Sequence, residues 1–311
     1  MLKVGVTYPQ TEFGSDPSAI RDFAQTAESL GYAFILAYDH VLGADPNRGG
    51  PWPGPYTYQH AFHEPLVLFG YWAGLTRTIQ LVTGVIILPQ RQAPLVAKQA
   101  AEVDVLSNGR LRLGVGIGWN QVEHEALGFD FHNRGKRSEE QIAVMRALWT
   151  QELVTFHGKW HQLDRVGLKP LPVQRPIPVW MGGGNRAEAP TRDSGRARGP
   201  AEPGGDRALR RIARLADGWI MTLGNMEQQR ARIAQLRKYL QAAGRAHTPF
   251  GIMASVSLRE GTPTDWPQRA AAWKEMGVAE VTVNTMGAGL SSSAEHIRAI
   301  QEAAEWAKAA N

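Results

Sequence analysis

Eight stretches of this chain carry the residue pattern of β-strands, and a helical pattern separates each from the next. The strand-like stretches are Lys3–Thr7, Phe34–Ala37, Ile79–Leu88, Leu111–Val115, Pro178–Met181, Trp219–Thr222, Phe250–Leu258 and Glu280–Asn284. Between them the helices announce their ends. Asp16 can cap a helix with Pro17 at its first position. Ile20, Phe23, Ala27 and Leu30 then share one face, and Gly31 stops it. Glu64–Arg77 reads as the next helix. Pro94 opens another, whose buried stripe is Val96, Ala100, Val103 and Leu106 and whose end is Asn108-Gly109. Further helical patterns cover Gln141–Thr150, Ala208–Ala216, Met226–Ala243 and Pro267–Met276. Ser292-Ser293-Ala294-Glu295 is a capping box for the last one. Strands alternating with helices predict an α/β fold, here a (β/α)8 TIM barrel with inserted loops. A doubly wound open sheet needs no eighth strand and tends to split in two. No linker divides this chain, so residues 1–311 are expected to form a single barrel domain.

Bulk properties narrow the class. Hydrophobic residues make up 43% of the 311 residues, enough for a sizeable core. No apolar run reaches the roughly 18 residues of a membrane span, so no membrane contact is expected. The opening MLKVGVTYPQ is strand-like and has no secretory h-region. There are no cysteines, which excludes disulfides, thiolate metal sites and a cysteine nucleophile and agrees with a cytoplasmic setting. The formal charge of +5 comes without a dense basic run interleaved with aromatics, so no nucleic-acid partner is expected. Ten tryptophans supply core, and large aromatics also wall pockets for planar ligands.

Two segments break the regular pattern. Arg186–Asp206 is rich in Gly, Pro, Arg and Ala and nearly lacks large apolar side chains. It reads as a mobile surface insertion after the fifth strand, or else as a lid. Residues 152–178 are irregular and proline-rich, with a hairpin expected around Phe156–Trp160.

In a (β/α)8 barrel the active site lies at the C-terminal strand ends. The candidates there are Tyr8, the Asp39-His40 pair, Gly84 and Val85, Trp119, and Gly182-Gly183-Gly184. An aspartate beside a histidine can orient and tune a proton-transferring imidazole. From spacing alone the pair also reads as a loop carboxylate next to a packed ring. His60, His63 and Glu64 have residue types that bind metals, but their spacing matches no established zinc pattern. Glu64 reads better as the start of a helix, favoured there by the dipole. Gly182–Gly184 can cradle phosphate through backbone N–H groups, or can simply be a turn. Gly114-Val115-Gly116-Ile117-Gly118 lacks the spacing and the distal acidic residue of a dinucleotide fingerprint.

With these residues in place, the chain resembles the bacterial luciferase-like family of flavin- or deazaflavin-dependent oxidoreductases. The likeness rests on Ala37-Tyr38-Asp39-His40, the block from Thr83 to Gly128, the QRPIPVWMGGG strand and Leu215–Ile220. It implies a (β/α)8 barrel holding FMN or the deazaflavin coenzyme F(420) at the strand C-termini, and the 79–128 block leans toward the deazaflavin branch. It also implies a non-proline cis peptide at Gly84–Val85 that backs the coenzyme ring. His40 would be the proton-transferring residue, with Asp39 holding it. Tyr8, Trp119 and His63 would shape the pocket, His63 on the substrate side, and Gly182, Gly183 and Gly184 would meet the coenzyme phosphate. Sugar-phosphate dehydrogenases of the family differ: where they carry a tryptophan and an acidic residue, this chain has Ala44 and Trp119. The expected activity is hydride transfer or monooxygenation of a small organic substrate by a homodimer with no resident metal. A non-catalytic flavin-binding barrel and a metal-dependent barrel hydrolase using His60, His63 and Glu64 are the alternatives.

Overall fold

A computed structural model describes residues 2–49, 54–184, 204–221, 225–260 and 265–309. Its strands are β1 (Lys3–Thr7), β2 (Phe34–Ala37), β3 (Gln80–Thr83), β4 (Ile86–Ile87), β5 (Leu111–Gly116), β6 (Val154–His157), β7 (Gln162–Val166), β8 (Val179–Gly182), β9 (Gly218–Ile220), β10 (Gly251–Ser257) and β11 (Glu280–Asn284). Its helices are α1 (Pro17–Ser29), α2 (Pro65–Leu75), α3 (Ala93–Leu106), α4 (Gln121–Ala126), α5 (Arg134–Thr150), α6 (Gly204–Leu215), α7 (Met226–Ala242), α8 (Trp266–Glu275) and α9 (Ser293–Ala309). All pairings in the large sheet are parallel. They run β3-β2-β1-β11-β10-β9-β8-β5, and β5 closes the ring on β3 and β4. Counting β3 and β4 as one interrupted strand, this is the expected eight-stranded barrel.

The local signals behave as their chemistry dictates. Asp16 accepts from Ser18 N at 3.0 Å, and Pro17 opens α1. Glu64 caps α2 by accepting from Val67 N at 2.7 Å. The antiparallel β6–β7 pair is the expected hairpin, and Glu140 of α5 accepts from the backbone N–H groups of Lys159, Trp160 and His161 to hold its turn.

Three expectations need correction. Strand three is not continuous over Ile79–Leu88: it breaks at a cis Gly84–Val85 peptide, the bond that the family resemblance implies. Helix α5 begins seven residues before Gln141, and α4 was not expected at all. Finally, most of Arg186–Asp206 lies outside the described residues, but its last three, Gly204–Asp206, open α6.

Barrel strands alternate side chains between the lumen and the helix layer. The larger apolar cluster, with Val4, Val6, Ile35, Leu81, Leu113, Val179 and Trp219, joins the sheet to the helices. A second cluster, Phe34, Leu36, Val82, Trp180, Ile220 and Met253, fills the lumen. At the N-terminal end of the strands the lumen is closed by Arg112. Its guanidinium bonds both Glu280 oxygens and Gln80, and lies 4.4 Å from the Trp180 ring centroid. That end is a plug, so access to the barrel is from the C-terminal end. Among the described residues no helix is long and apolar enough to cross a membrane.

Candidate active site

At the C-terminal end the lumen is open. Lumen-facing Tyr38, His40, Val85, Gly182, Ser255, Ser257 and Asn284 are half-buried, whereas their outward neighbours Ala37, Asp39, Ile86, Met181, Val256 and Val283 are buried. The interruption of strand three puts Val85 among them. Its side chain fits because two neighbours have none. A Cβ on Gly116 would stand 2.4 Å from Val85 Cγ2, and one on Gly182 would stand 2.9 Å from Val85 Cγ1. Gly84 N donates to Ala37 O at 2.7 Å and Thr83 Oγ1 to Gly114 O at 2.7 Å, which fixes the interrupted segment to both adjacent strands. The glycines of β5 and β8 thus serve the bulge between β3 and β4. They form a shallow platform with Val85 on it, a shape that suits the flat ring the family resemblance implies.

His40 and Asp39 part company here. Successive residues of an extended chain point to opposite faces. Phe34, Leu36, Tyr38 and His40 face the lumen, so Asp39 points outward with Ile35 and Ala37. Asp39 accepts from Ile87 N at 2.8 Å and from Arg91 Nη2 at 2.7 Å, and Arg91 also reaches Glu64 at 2.9 Å. Burial works against the Arg91 charge, but these two carboxylates outweigh it and raise its pKa. Asp39 therefore does not hold His40; it ties the end of β2 to the segment after the Gly84–Val85 bulge. The partner of His40 is Glu123, whose Oε2 lies 3.3 Å from His40 Nδ1.

Glu123 is buried, at 2% exposure. Its Oε1 accepts from Val41 N at 2.6 Å and Leu42 N at 3.1 Å, and its Oε2 accepts from Gln90 Nε2 at 3.1 Å. Burial pushes its pKa up, but the hydrogen bonds with His40, Leu42 N and Val41 N prevail and hold it below the ordinary glutamate value. An ionised carboxylate facing Nδ1 makes that nitrogen the protonated one in a neutral ring. Nε2 then faces away, and no described residue hydrogen-bonds it.

The His40 ring is walled by aromatics. It meets Phe62 at 4.8 Å, Tyr56 at 5.3 Å and Trp119 at 5.6 Å between centroids, each edge to face. Next to it opens a cavity of about 310 Å³ lined by residues 40–43, 56–58, His60, Phe62 and Asn120. Trp119 stands beside His40 but is not itself among the cavity-lining residues. Tyr8 does not stand there. It is 0% exposed and sits edge to face against Phe13, Phe23 and Trp72 in the helix layer, because Val4, Val6 and Tyr8 share the outward parity of β1. His63 is not among the cavity-lining residues; its ring tilts against Tyr8 at 5.9 Å.

Gly183 and Gly184 both have left-handed φ, at 124° and 82°. They pack on the first turns of α6, since a Cβ on Gly184 would come within 2.8 Å of Leu209 Cδ2. The Gly183 carbonyl accepts from Trp219 Nε1 at 2.7 Å. The metal donors proposed from sequence are otherwise engaged. His60 Nδ1 accepts from Thr57 N at 3.0 Å, and Glu64 serves Val67 N and Arg91. Among the described residues no group of three or more donors could hold a metal ion.

Residues 2–191 match the family model described as luciferase-like monooxygenase. The chain belongs to the luciferase-like monooxygenase family. An uncharacterised Mycobacterium tuberculosis protein is 32% identical to this family member over 295 residues, covering 91% of this chain and 92% of that protein. The FMNH(2)-dependent dimethylsulfone monooxygenase of Pseudomonas fluorescens is 32% identical over 257 residues, covering 81% of this chain and 60% of that enzyme. Among solved structures, the coenzyme F(420)-dependent tetrahydromethanopterin reductase of Methanopyrus kandleri has the same fold, with a TM-score of 0.69 at 14% identity over 97% of each chain.

Glu123, Tyr56, Phe62 and Asn120 were not picked out from sequence. One signal for Glu123 was there: Asn120-Gln121-Val122-Glu123 has capping-box spacing. Asn120 Oδ1 does accept from Glu123 N, at 3.3 Å, but the glutamate reaches across to residues 40–42 instead of back to its own helix start.

Proposed function

We propose that this luciferase-like protein is an oxidoreductase that binds FMN or coenzyme F(420) and acts on a small organic substrate. One observation carries the reading: at the open end of a luciferase-like barrel, an imidazole backed by an ionised, buried carboxylate presents its other nitrogen beside an aromatic cavity. Each coenzyme serves one of the similar proteins, FMNH(2) in the Pseudomonas fluorescens enzyme and F(420) in the Methanopyrus kandleri reductase. The platform fits a planar ring, because Gly116 and Gly182 leave the space that seats Val85. Gly84 and Val85 would back the ring, Trp119 would flank it, and Gly182, Gly183 and Gly184 beside α6 would hold its phosphate. When bound, such a coenzyme supplies hydride transfer or, in its reduced flavin form, oxygen activation.

The chain's own residues supply the rest. His40 Nε2 gives or takes the proton at the substrate, and Glu123 keeps Nδ1 protonated and stabilises the imidazolium when it forms. Tyr56, Phe62 and Trp119 exclude water from that exchange. Asp39 is a positioning residue: through Ile87 N and Arg91 it holds the bulge that carries Val85.

The homodimer reading is supported by α2. Its sequence, PLVLFGYWAGL, is apolar all round, which an outer barrel helix needs only if both faces are covered. Val67 is 70% exposed and Tyr71 42%, on the same face as Gly70 and Gly74. A cytoplasmic location is supported by the lack of cysteine.

The catalytic reading is tested with His40→Ala protein loaded with coenzyme. Turnover of an identified substrate should fall by about 10²–10⁴ with coenzyme affinity retained. Full turnover in that variant would remove His40 from the mechanism.

A further inference from the structure

Beside Gly182–Gly184 two helices begin, and their first turns carry an unbalanced positive charge. α6 packs on the glycines through Leu209. α5 begins against α6: a Cβ on Gly135 would stand 2.6 Å from Arg211 Nη2. Arg134 Nε donates to Gly118 O at 3.3 Å, which ties the start of α5 to the segment after β5. The first turn of α5 holds Arg134, Lys136 and Arg137 and no acidic residue. The first turn of α6 adds Arg207. A helix N-terminus is the positive end of the macrodipole, so these cations stand where their own helices disfavour them.

The neighbouring carboxylates are committed elsewhere. Glu139 meets Arg211 at 3.0 Å and Arg214 at 2.6 Å, one acid serving two bases. Asp206 meets Arg232 at 3.4 Å, and Glu140 accepts from the turn of the β6–β7 hairpin. Arg134 and Arg137 lie over the Phe131 and Phe129 rings. Lys136 and Arg207 are exposed and meet no carboxylate among the described residues. Lys136 follows Gly135, and Arg207 precedes Arg211 by one turn on the same face of α6, so both border the α5–α6 gap. This charge lies beyond the glycine cradle, where a phosphate held by Gly182–Gly184 does not account for it. FMN ends at its phosphate. Coenzyme F(420) continues past its phosphate into a chain of glutamate carboxylates.

We infer that the α5–α6 gap receives carboxylates lying beyond the coenzyme phosphate, so that this chain takes F(420) in preference to FMN, with Lys136 and Arg207 determining the choice. The inference rests on the oxidoreductase reading for a coenzyme at the platform, and on the two helix starts for the selectivity.

Fluorescence titration of the protein with F(420), with F(420) stripped of its glutamates, and with FMN tests it. At low salt the full coenzyme should bind at least ~5-fold more tightly than the stripped form, and more tightly than FMN. Because exposed charges are screened by salt, ~0.5 M NaCl should erase the gap between the two F(420) forms. The doubly substituted Lys136→Glu, Arg207→Glu protein should lose that gap at low salt. Both positions are exposed, and glutamate suits a helix N-terminus, so this variant should fold normally. Equal binding of the full and stripped forms, a preference untouched by salt or by the double substitution, or tighter binding of FMN would each overturn the inference and leave the oxidoreductase reading standing. If none of the three binds, both fall together.

Discussion

Glu123 keeps its charge inside the protein because donors converge on it from three places: the backbone after β2, the Gln90 amide and the His40 ring. Removing the charge should cost both stability and rate. Glu123→Gln keeps the shape but weakens the acceptors for Val41 N and Leu42 N, a loss of about 1–3 kcal/mol measurable by urea denaturation. It should also lower kcat more than it raises KM and displace the acid limb of the pH–rate profile, whereas a merely structural change would leave that limb in place. The pH dependence has a definite sign. The folded-state pKa of Glu123 lies below its unfolded value, so its stabilisation is complete above the ordinary glutamate range and is lost as pH falls through the folded value. Wild type should therefore lose stability on acidification more steeply than Glu123→Gln, and parallel curves would contradict the ionised assignment. The sequence already carried part of this. Phe34, Leu36 and Tyr38 alternate with Ile35 and Ala37, and extending that alternation separates Asp39 from His40. The partner of His40 could not be read the same way, because it lies 83 residues away on a helix too short and polar to show apolar periodicity.

The platform is a property of three elements at once. Val85 belongs to the break between β3 and β4, Gly116 to β5 and Gly182 to β8. Gly116→Ala should push Val85 out of place, costing about 1–3 kcal/mol of stability by overpacking. It should also weaken coenzyme binding. Val85→Ala should relieve part of that cost, so the two substitutions should couple by about 0.5–3 kcal/mol in a double-mutant cycle. Strict additivity would mean the contact is not what the glycines are for. The barrel strands themselves were legible, since each is a short segment with apolar residues at successive or alternate positions. The interruption of strand three was not visible in that pattern: Ile79–Leu88 is uniformly apolar apart from Gln80, Thr83 and Gly84, and it entered only through the family likeness. The Tyr8 placement failed for a related reason. Standing at a strand end does not say which face a side chain takes, and parity with Val4 and Val6 sends Tyr8 outward.

At the scale of the whole molecule, the barrel has a sealed end and an open end. Arg112, Glu280, Gln80 and Trp180 close the first, and the Val85 platform and the His40 cavity share the second. Stability and chemistry are thereby separated along the barrel axis. The outward face of α2 is where the molecule is expected to meet its copy. Sedimentation of Val67→Asp and Tyr71→Arg proteins should show monomers where wild type is dimeric, and an unchanged dimer would move the interface elsewhere. The central claim remains the coenzyme. Titrating the protein with FMN, reduced FMN and F(420), followed by absorbance, tests it most directly. Saturable binding of at least one of them at about micromolar concentration is expected, a free energy near −8 kcal/mol. If none binds below about millimolar, near −4 kcal/mol, the platform is not a coenzyme site and the oxidoreductase reading is wrong.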